Sequence, residues 1–177
     1  MLNSKTDAYH LLKQLGADAH LIQHLQLVGE AATLLIQACQ QLGIEFDAQL
    51  VELGAAVHDA GKILYPAEMY APGSLHEAAG EQLLLQHGVA PHIAHCCVSH
   101  ASWQEVQTSF EERLLALADK LWKGRRESAL ELLVIQQAAT RLECSEWDIF
   151  NQLDSVFEDI AANGDLRLQQ SMLTSTP

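Results

Sequence analysis

The sequence predicts an all-α single domain, and three observations lead to this fold class. Apolar residues recur at helical spacing between recognisable helix ends, for example in "LIQHLQLVGEAATLL". The alternation of apolar and polar residues that marks a half-buried strand is absent. The 177 residues suffice for one domain with a substantial core, and no linker, internal repeat or low-complexity segment divides them.

The first two helices are bounded by clear end signals. Ser4, with Asp7 three residues later, opens a short helix. The second helix is expected over residues 18–42, where Asp18 can cap the start and Gly43 the end. His24 lies in this helix on the face that the apolar residues direct towards the core.

The third and fourth helices are separated by a long loop. Asp47 can cap the third helix, which is expected to end near residues 60–61. "SLHE" predicts a capping box of Ser74 and Glu77 that opens the fourth helix. The loop between them, "GKILYPAEMYAPG", is long for a compact helical domain, so we expect it at the rim of a pocket.

Four further helices complete the predicted domain. Pro91 suits the first turn of a fifth helix that reaches about residue 101, where the shorter loop "SWQEVQ" follows. "TSFEERLLALADKLW", "RESALELLVIQQAATRLE" and "SEWDIFNQLDSVFEDIAANG" predict the sixth to eighth, the last with a capping box at Ser145. We therefore assign residues 1–164 to the domain and residues 165–177 to a flexible tail.

Charge and cysteine content narrow the class of protein. The formal net charge of −13 argues against binding to duplex DNA, because phosphate repulsion would have to be overcome. No apolar run is long enough to span a membrane, and the first residues lack the apolar core of a signal peptide. The four cysteines form no disulfide framework. We therefore expect a cytoplasmic protein without a membrane partner.

The basic residues are unevenly distributed. Half of the ten fall within fourteen positions, namely Arg113, Lys120, Lys123, Arg125 and Arg126. In an acidic protein such a cluster favours an anionic partner, whereas the alternative interpretation is a solvated helix end.

The stretch "AAVHDAGKILYP" contains a histidine–aspartate pair at the end of an apolar run. Neighbouring residues on a helix point about 100° apart, so His58 and Asp59 are better placed to reach one external object than each other. An imidazole and a carboxylate that reach one object indicate a metal ion. Lys62 follows one turn after His58, where its ammonium can contact a phosphate or complement the helix C-terminus.

Four other polar residues lie at inward-facing positions or helix ends of four further helices. They are His24, His76, His100 and Asp119. For His24 alone, a hydrogen-bonded core histidine is the alternative, and for Asp119 an ion pair with Lys120 or Lys123. A different, weaker candidate for a soft zinc site is His92, Cys96 and His100 on one helix face, with His95 beside them. One straight helix cannot close a tetrahedron from positions two turns apart.

Four imidazoles and two carboxylates suit a pair of divalent transition-metal ions. Imidazole is a ligand for Fe, Mn, Co, Ni or Zn, and a carboxylate can bridge two ions. Asp59 is the natural bridge, with the ions about 3.5–4 Å apart. Such a pair activates a water molecule and clamps a phosphate, so Asp59 and Lys62 are the predicted catalytic residues.

The order H…HD…H…H…D, carried by these six residues, resembles the HD-domain superfamily of metal-dependent phosphohydrolases. "HDAGK" is similar to its HD-x-G-K signature, and "LADKLWKGRRE" to the segment around its last aspartate. The resemblance covers residues 18–126, with residues 127–164 as additional helices. It implies a helical bundle with a metal centre in its core, and His76 and His100 make the chain similar to the binuclear branch.

The sequence also departs from two branches of that superfamily. "ASWQEV" follows His100, without the second histidine and the G-Y-P signature of the cyclic-dinucleotide phosphodiesterases. No helicase domain is present, in contrast to the CRISPR helicase-nucleases.

The predicted function is hydrolysis of a phosphomonoester or phosphodiester in a nucleotide-like substrate, either a small molecule or a nucleic-acid end. The predicted contacts to substrate phosphate are Lys62, Lys120, Lys123, Arg125 and Arg126. Two alternatives are a di-iron oxygenase of the HD type and a non-catalytic metal-binding signalling module.

Overall fold

A computed structural model describes residues 2–173, and these residues form helices and connecting loops with no β-strand. None of the described helices is both long and apolar enough to cross a membrane. The helices are α1 Lys5–Gln14, α2 Ala19–Gln41, α3 Ala48–Val57, α4 Leu75–Gln86, α5 Pro91–Ala94, α6 Cys96–Ser99, α7 Phe110–Leu121, α8 Ser128–Arg141, α9 Glu146–Ala162 and α10 Gly164–Leu173. The predicted all-α fold is confirmed.

Helices α2, α3 and α7 pack against one another in the middle of the domain. Their facing side chains, among them Val28, Ala55 and Leu117, are fully buried. Helices α8 and α9 cover the same core from the other side, where Phe157 of α9 is also fully buried. The additional C-terminal helices therefore share one core with the segment that carries the predicted metal ligands.

The chain leaves the α-helical path at the histidine–aspartate pair. Helix α3 ends at Val57, and a 3₁₀ turn over Ala60–Ile63 follows, so the predicted helix end near residues 60–61 is too late. The turn passes directly over α4: a Cβ on Gly61 would lie 1.8 Å from the carbonyl oxygen of His76. Only glycine permits this approach, which brings the start of α4 close to Asp59.

Helix α4 is capped by a residue other than the predicted one. The Ser74 side chain makes no capping hydrogen bond. The Glu68 carboxylate, in the 3₁₀ turn Pro66–Met69, accepts hydrogen bonds from the backbone N–H groups of Leu75 (3.3 Å) and His76 (3.1 Å). An incoming carboxylate thus replaces the Ser74–Glu77 box, because it satisfies two of the free N–H groups of the first turn.

The predicted fifth helix is interrupted at His95, which separates α5 from α6. The alternative zinc site on this helix is not formed: the Cys96 thiol donates to the carbonyl oxygen of His92 (3.6 Å), and His100 turns into the core. His95 points outwards and contacts Glu81, with Nδ1 and Oε1 2.9 Å apart.

The predicted flexible tail is wrong for residues 165–173, because α10 occupies them. This helix packs against α2 and α9. Arg167 is buried, and its Nη1 donates to the carbonyl oxygen of Ile160 at 2.7 Å, which ties α10 to the end of α9. Residues 174–177 of the predicted tail lie outside the described part of the chain.

Candidate metal centre

The Asp59 carboxylate stands at the centre of the buried polar cluster and is only 2% exposed. Its two oxygens face different histidines. Oδ2 lies 2.9 Å from Nε2 of His24 and 3.5 Å from Nε2 of His58. Oδ1 lies 3.2 Å from Nε2 of His76 and 3.8 Å from Nε2 of His100. A carboxylate placed in this way can offer one oxygen to each of two cations.

The surrounding side chains form two groups whose ligand atoms lie close enough to hold an ion. His24, His58 and Asp119 form one group, in which all ligand atoms lie within 4.8 Å of one another. His58, Asp59 and His100 form the second by the same criterion, and His76 lies beside Oδ1 of the same Asp59. The fold thus brings together all six side chains that the sequence predicts as metal ligands.

In His58 and His100, hydrogen bonds fix which ring nitrogen carries the proton. Nδ1 of His58 lies 3.1 Å from the carbonyl oxygen of Ala55, and Nδ1 of His100 lies 3.1 Å from that of Cys96. A carbonyl oxygen only accepts, so Nδ1 donates in both cases. The lone pair of each neutral ring is then on Nε2, which faces the centre, as a metal ligand requires.

Three of the four Nε2 atoms are buried without a well-oriented hydrogen bond, namely those of His24, His58 and His76. Oxygens of Asp59 lie 2.9 Å from Nε2 of His24, 3.5 Å from that of His58 and 3.2 Å from that of His76, but these contacts lack the orientation of a hydrogen bond. A buried polar atom without a partner costs free energy, and three in one place are unusual. A divalent cation would satisfy them, so the residues present fit a metal centre.

Both carboxylates of the centre are held ionised. Burial alone would raise the pKa of Asp59, but the surrounding imidazoles hold that pKa well below its usual value. Burial would likewise raise the pKa of Asp119, while His58 and Lys123 lower it. Two anionic ligands are therefore available at all pH values near neutrality.

The histidines differ in their affinity for protons. Burial lowers the pKa of His24 and that of His100, the latter to about 4. Burial would also lower the pKa of His76, but the nearby carboxylates of Asp59 and Glu68 raise it above the usual value. Of these three rings, that of His76, which lies beside Oδ1 of Asp59, therefore binds a proton most readily.

Glu68 contacts the candidate centre, although the sequence does not predict it as a site residue. Its Oε2 lies 2.6 Å from Nδ1 of His76, in addition to the backbone N–H of the same residue. The bond from His76 lowers the pKa of Glu68, so the carboxylate is ionised. A carboxylate behind a histidine fixes the ring and increases its basicity. The one signal in the sequence that points to Glu68 is its position in the long loop expected at the rim of a pocket.

Three lysines surround the carboxylates. Nζ of Lys62 lies 2.7 Å from Oδ2 of Asp59. Nζ of Lys120 and of Lys123 lie 3.3 and 4.0 Å from Oδ2 of Asp119. All three ammonium groups therefore stand at the edge of the candidate centre, as the phosphate-binding prediction needs.

The arginines of the basic cluster contact acidic side chains and backbone carbonyl oxygens. Arg126 donates two hydrogen bonds to Glu131 (2.7 and 2.9 Å) and one to Asp154 (2.6 Å), which joins α8 to α9. Arg113 is buried and donates to two backbone carbonyl oxygens. The side chain of Arg125 is 62% exposed, and its Nη2 lies 3.6 Å from Oε2 of Glu127. Arg126 is thus a structural residue, because its guanidinium is already shared by two carboxylates.

Comparison with known proteins gives one match. Residues 21–123, more than half of the chain, match the family model described as the HD domain. The matched segment begins beside His24 and ends just after Asp119, so it contains all six candidate ligands. No match was found among curated proteins or solved structures.

Proposed function

The chain belongs to the HD domain family, and from this premise we propose that it is a metal-dependent phosphohydrolase. Its proposed substrate is a nucleotide-like phosphomonoester or phosphodiester. The proposed cofactor is a pair of divalent transition-metal ions from the series Fe, Mn, Co, Ni and Zn, to which imidazole and carboxylate ligands are suited.

The division of the Asp59 carboxylate carries this proposal. Oδ2 faces His24 and His58, and Oδ1 faces His76 and His100, so a ligand set exists on each side of one bridging residue. A purely structural site needs only about four ligands in total. The surplus supports a binuclear centre of the kind that performs hydrolysis.

Ions bound here would supply an activated water molecule and electrophilic stabilisation of the phosphoryl oxygens. The chain contributes the positioning. Asp59 and Asp119 supply negative charge, and the burial of both strengthens their interaction with any cation. The ammonium of Lys62 can move from Asp59 to a phosphoryl oxygen and keep an anionic partner throughout.

The charge distribution supports a small anionic substrate. The net charge of −13 repels extended polyanions at long range. Lys62, Lys120 and Lys123 provide local positive charge only at the edge of the centre. We propose that they contact the substrate phosphate groups and that Arg125, which is exposed after α7, contributes at most at the periphery.

Metal analysis combined with a panel of phosphoesters tests the proposal. The purified protein should carry close to two transition-metal ions per chain and hydrolyse at least one nucleoside phosphate. His58→Ala should lose both properties. The matched control is His95→Ala, which removes a histidine bonded to Glu81 on the surface and should keep both. A metal-loaded protein that hydrolyses no phosphoester would contradict the proposed activity. A purified protein that contains no metal would contradict the proposed metal centre.

A further inference from the structure

Two aromatic rings lie in contact between α2, which carries His24, and the loop before α4, which carries Glu68. The ring of Tyr70 in the loop before α4 lies 5.6 Å from that of His20 between centroids, at an interplanar angle of 36°. Tyr70 is 74% exposed. A large ring of this kind that remains open to solvent offers a face to a ligand.

The position of this pair relative to the ligands follows from chain geometry. His20 precedes His24 by four residues on α2, so the two share one helix face a single turn apart. Tyr70 follows Glu68 by two residues, and Glu68 is bonded to His76. The pair therefore connects the helix that carries His24 with the loop whose Glu68 contacts His76.

The surroundings indicate which chemical group the pair would receive. Lys62, beside Asp59, begins the same loop and supplies positive charge for a phosphate. Tyrosine and histidine faces stack on the flat rings of nucleobases, whereas an alkyl phosphate has no aromatic ring to stack. A phosphate at the ions and a planar ring at the rim together describe a nucleoside phosphate.

We propose that Tyr70 and His20 form a base-stacking subsite, which determines specificity for nucleoside phosphates over phosphoesters without an aromatic group. This inference rests on the proposed function, because it places the substrate phosphate at the metal centre. Tyr70 acts through its ring face, so its hydroxyl group is not required.

The experiment compares two ligands that share ribose and a 5′-phosphate and differ in the base, adenosine 5′-monophosphate and ribose 5-phosphate. Calorimetric titration of the metal-loaded protein should show about tenfold tighter binding of the nucleotide, in line with the stacking contribution of one base. Tyr70→Ala should remove this preference and leave the affinity for ribose 5-phosphate within about twofold. Tyr70→Phe should keep the preference. Trp147→Ala, which removes an aromatic ring 82% exposed at the start of α9, should change neither affinity.

The outcomes separate this subsite from the proposed function. Equal affinity of the wild-type protein for the two ligands, or no binding of either, would overturn the subsite. So would an equal loss of both affinities in Tyr70→Ala, since that indicates a displaced loop, or loss of the preference in Tyr70→Phe. A preference that depends on the Tyr70 ring in a protein that hydrolyses no phosphoester would support the subsite and reject the hydrolase.

Discussion

Oε2 of Glu68 lies 2.6 Å from Nδ1 of His76, and the same carboxylate caps α4, which has His76 in its first turn. One side chain thus fixes the imidazole ring, the first turn of α4 and the loop that carries Glu68. The far side of the ring, Nε2, faces Oδ1 of Asp59 at 3.2 Å. The geometry of this side of the centre therefore depends on a residue that contacts no candidate ion.

Replacement of Glu68 should weaken metal binding on the Oδ1 side. Glu68→Gln removes the negative charge behind His76, and loss of such a partner typically lowers metal affinity about 10- to 100-fold. Equilibrium dialysis against Mn²⁺ or Zn²⁺ should show one weakened site and one unchanged. Glu77→Gln is the control, since Glu77 lies in the same first helical turn. The hydrogen bonds that cap α4 and the one that holds the His76 ring are made by Glu68 instead. Equal affinities of Glu68→Gln and wild type at both sites would show that Glu68 serves only as a helix cap.

Single ligand replacements should sort the six residues by the number of ions they hold. His58 belongs to both close groups and Asp59 bridges them, so His58→Ala or Asp59→Ala should lose most of both ions. His76→Ala or His100→Ala should lose one ion and leave the other. Elemental analysis after gentle purification measures this directly. Full metal content and full activity in both His76→Ala and His100→Ala would indicate a mononuclear centre.

The candidate ligands on α2 and after α3 could be predicted because they break a strong local pattern. His24 interrupts an apolar helix face, and His58 and Asp59 end an apolar run, so these polar groups need a partner inside the fold. The fold brings these side chains together because α2 and α3, which carry or precede them, pack against each other and against α7.

Glu68 and Arg126 could not be assigned in this way, because their roles depend on contacts that sequence spacing does not encode. The capping signal of Ser74 and Glu77 is locally sound, yet a carboxylate from the loop occupies its place. Arg126 follows the last ligand closely in sequence, but Asp154, 28 residues later, draws it to α9. α10 was missed for a related reason: its polar sequence is stabilised by packing against α2 and α9.

Acidification should remove the ion on the Oδ1 side first. A protonated imidazole cannot bind a metal, so affinity falls once the pH drops below the pKa of a ligand. The pKa of His76 is raised above 6.5, whereas those of His24 and His100 are lowered. As the pH falls through the raised pKa of His76, one ion should therefore dissociate while the ion near His24 remains. Metal content after dialysis at stepwise lower pH tests the order, and His76→Ala should abolish the early step. Simultaneous loss of both ions would contradict it.

The basic residues should divide into a kinetic and a structural set. Lys62 lies 2.7 Å from the bridging carboxylate, so its contact with the phosphoryl group should strengthen as charge develops in the transition state. Lys62→Ala should lower kcat about 100- to 1,000-fold, on the scale of a lost oxyanion donor, and Lys62→Arg should recover part of it.

Lys120→Ala and Lys123→Ala should instead raise KM only a few-fold, because partly exposed ion pairs contribute about 1 kcal/mol or less. Arg126→Ala should leave KM unchanged and lower the free energy of unfolding by about 1–3 kcal/mol, since the carboxylate of Glu131 would stay buried without its partner. Steady-state kinetics on the best phosphoester and denaturant unfolding measure the two effects separately. An unchanged kcat in Lys62→Ala would show that this lysine only neutralises Asp59. A raised KM in Arg126→Ala would show that this arginine contacts the substrate.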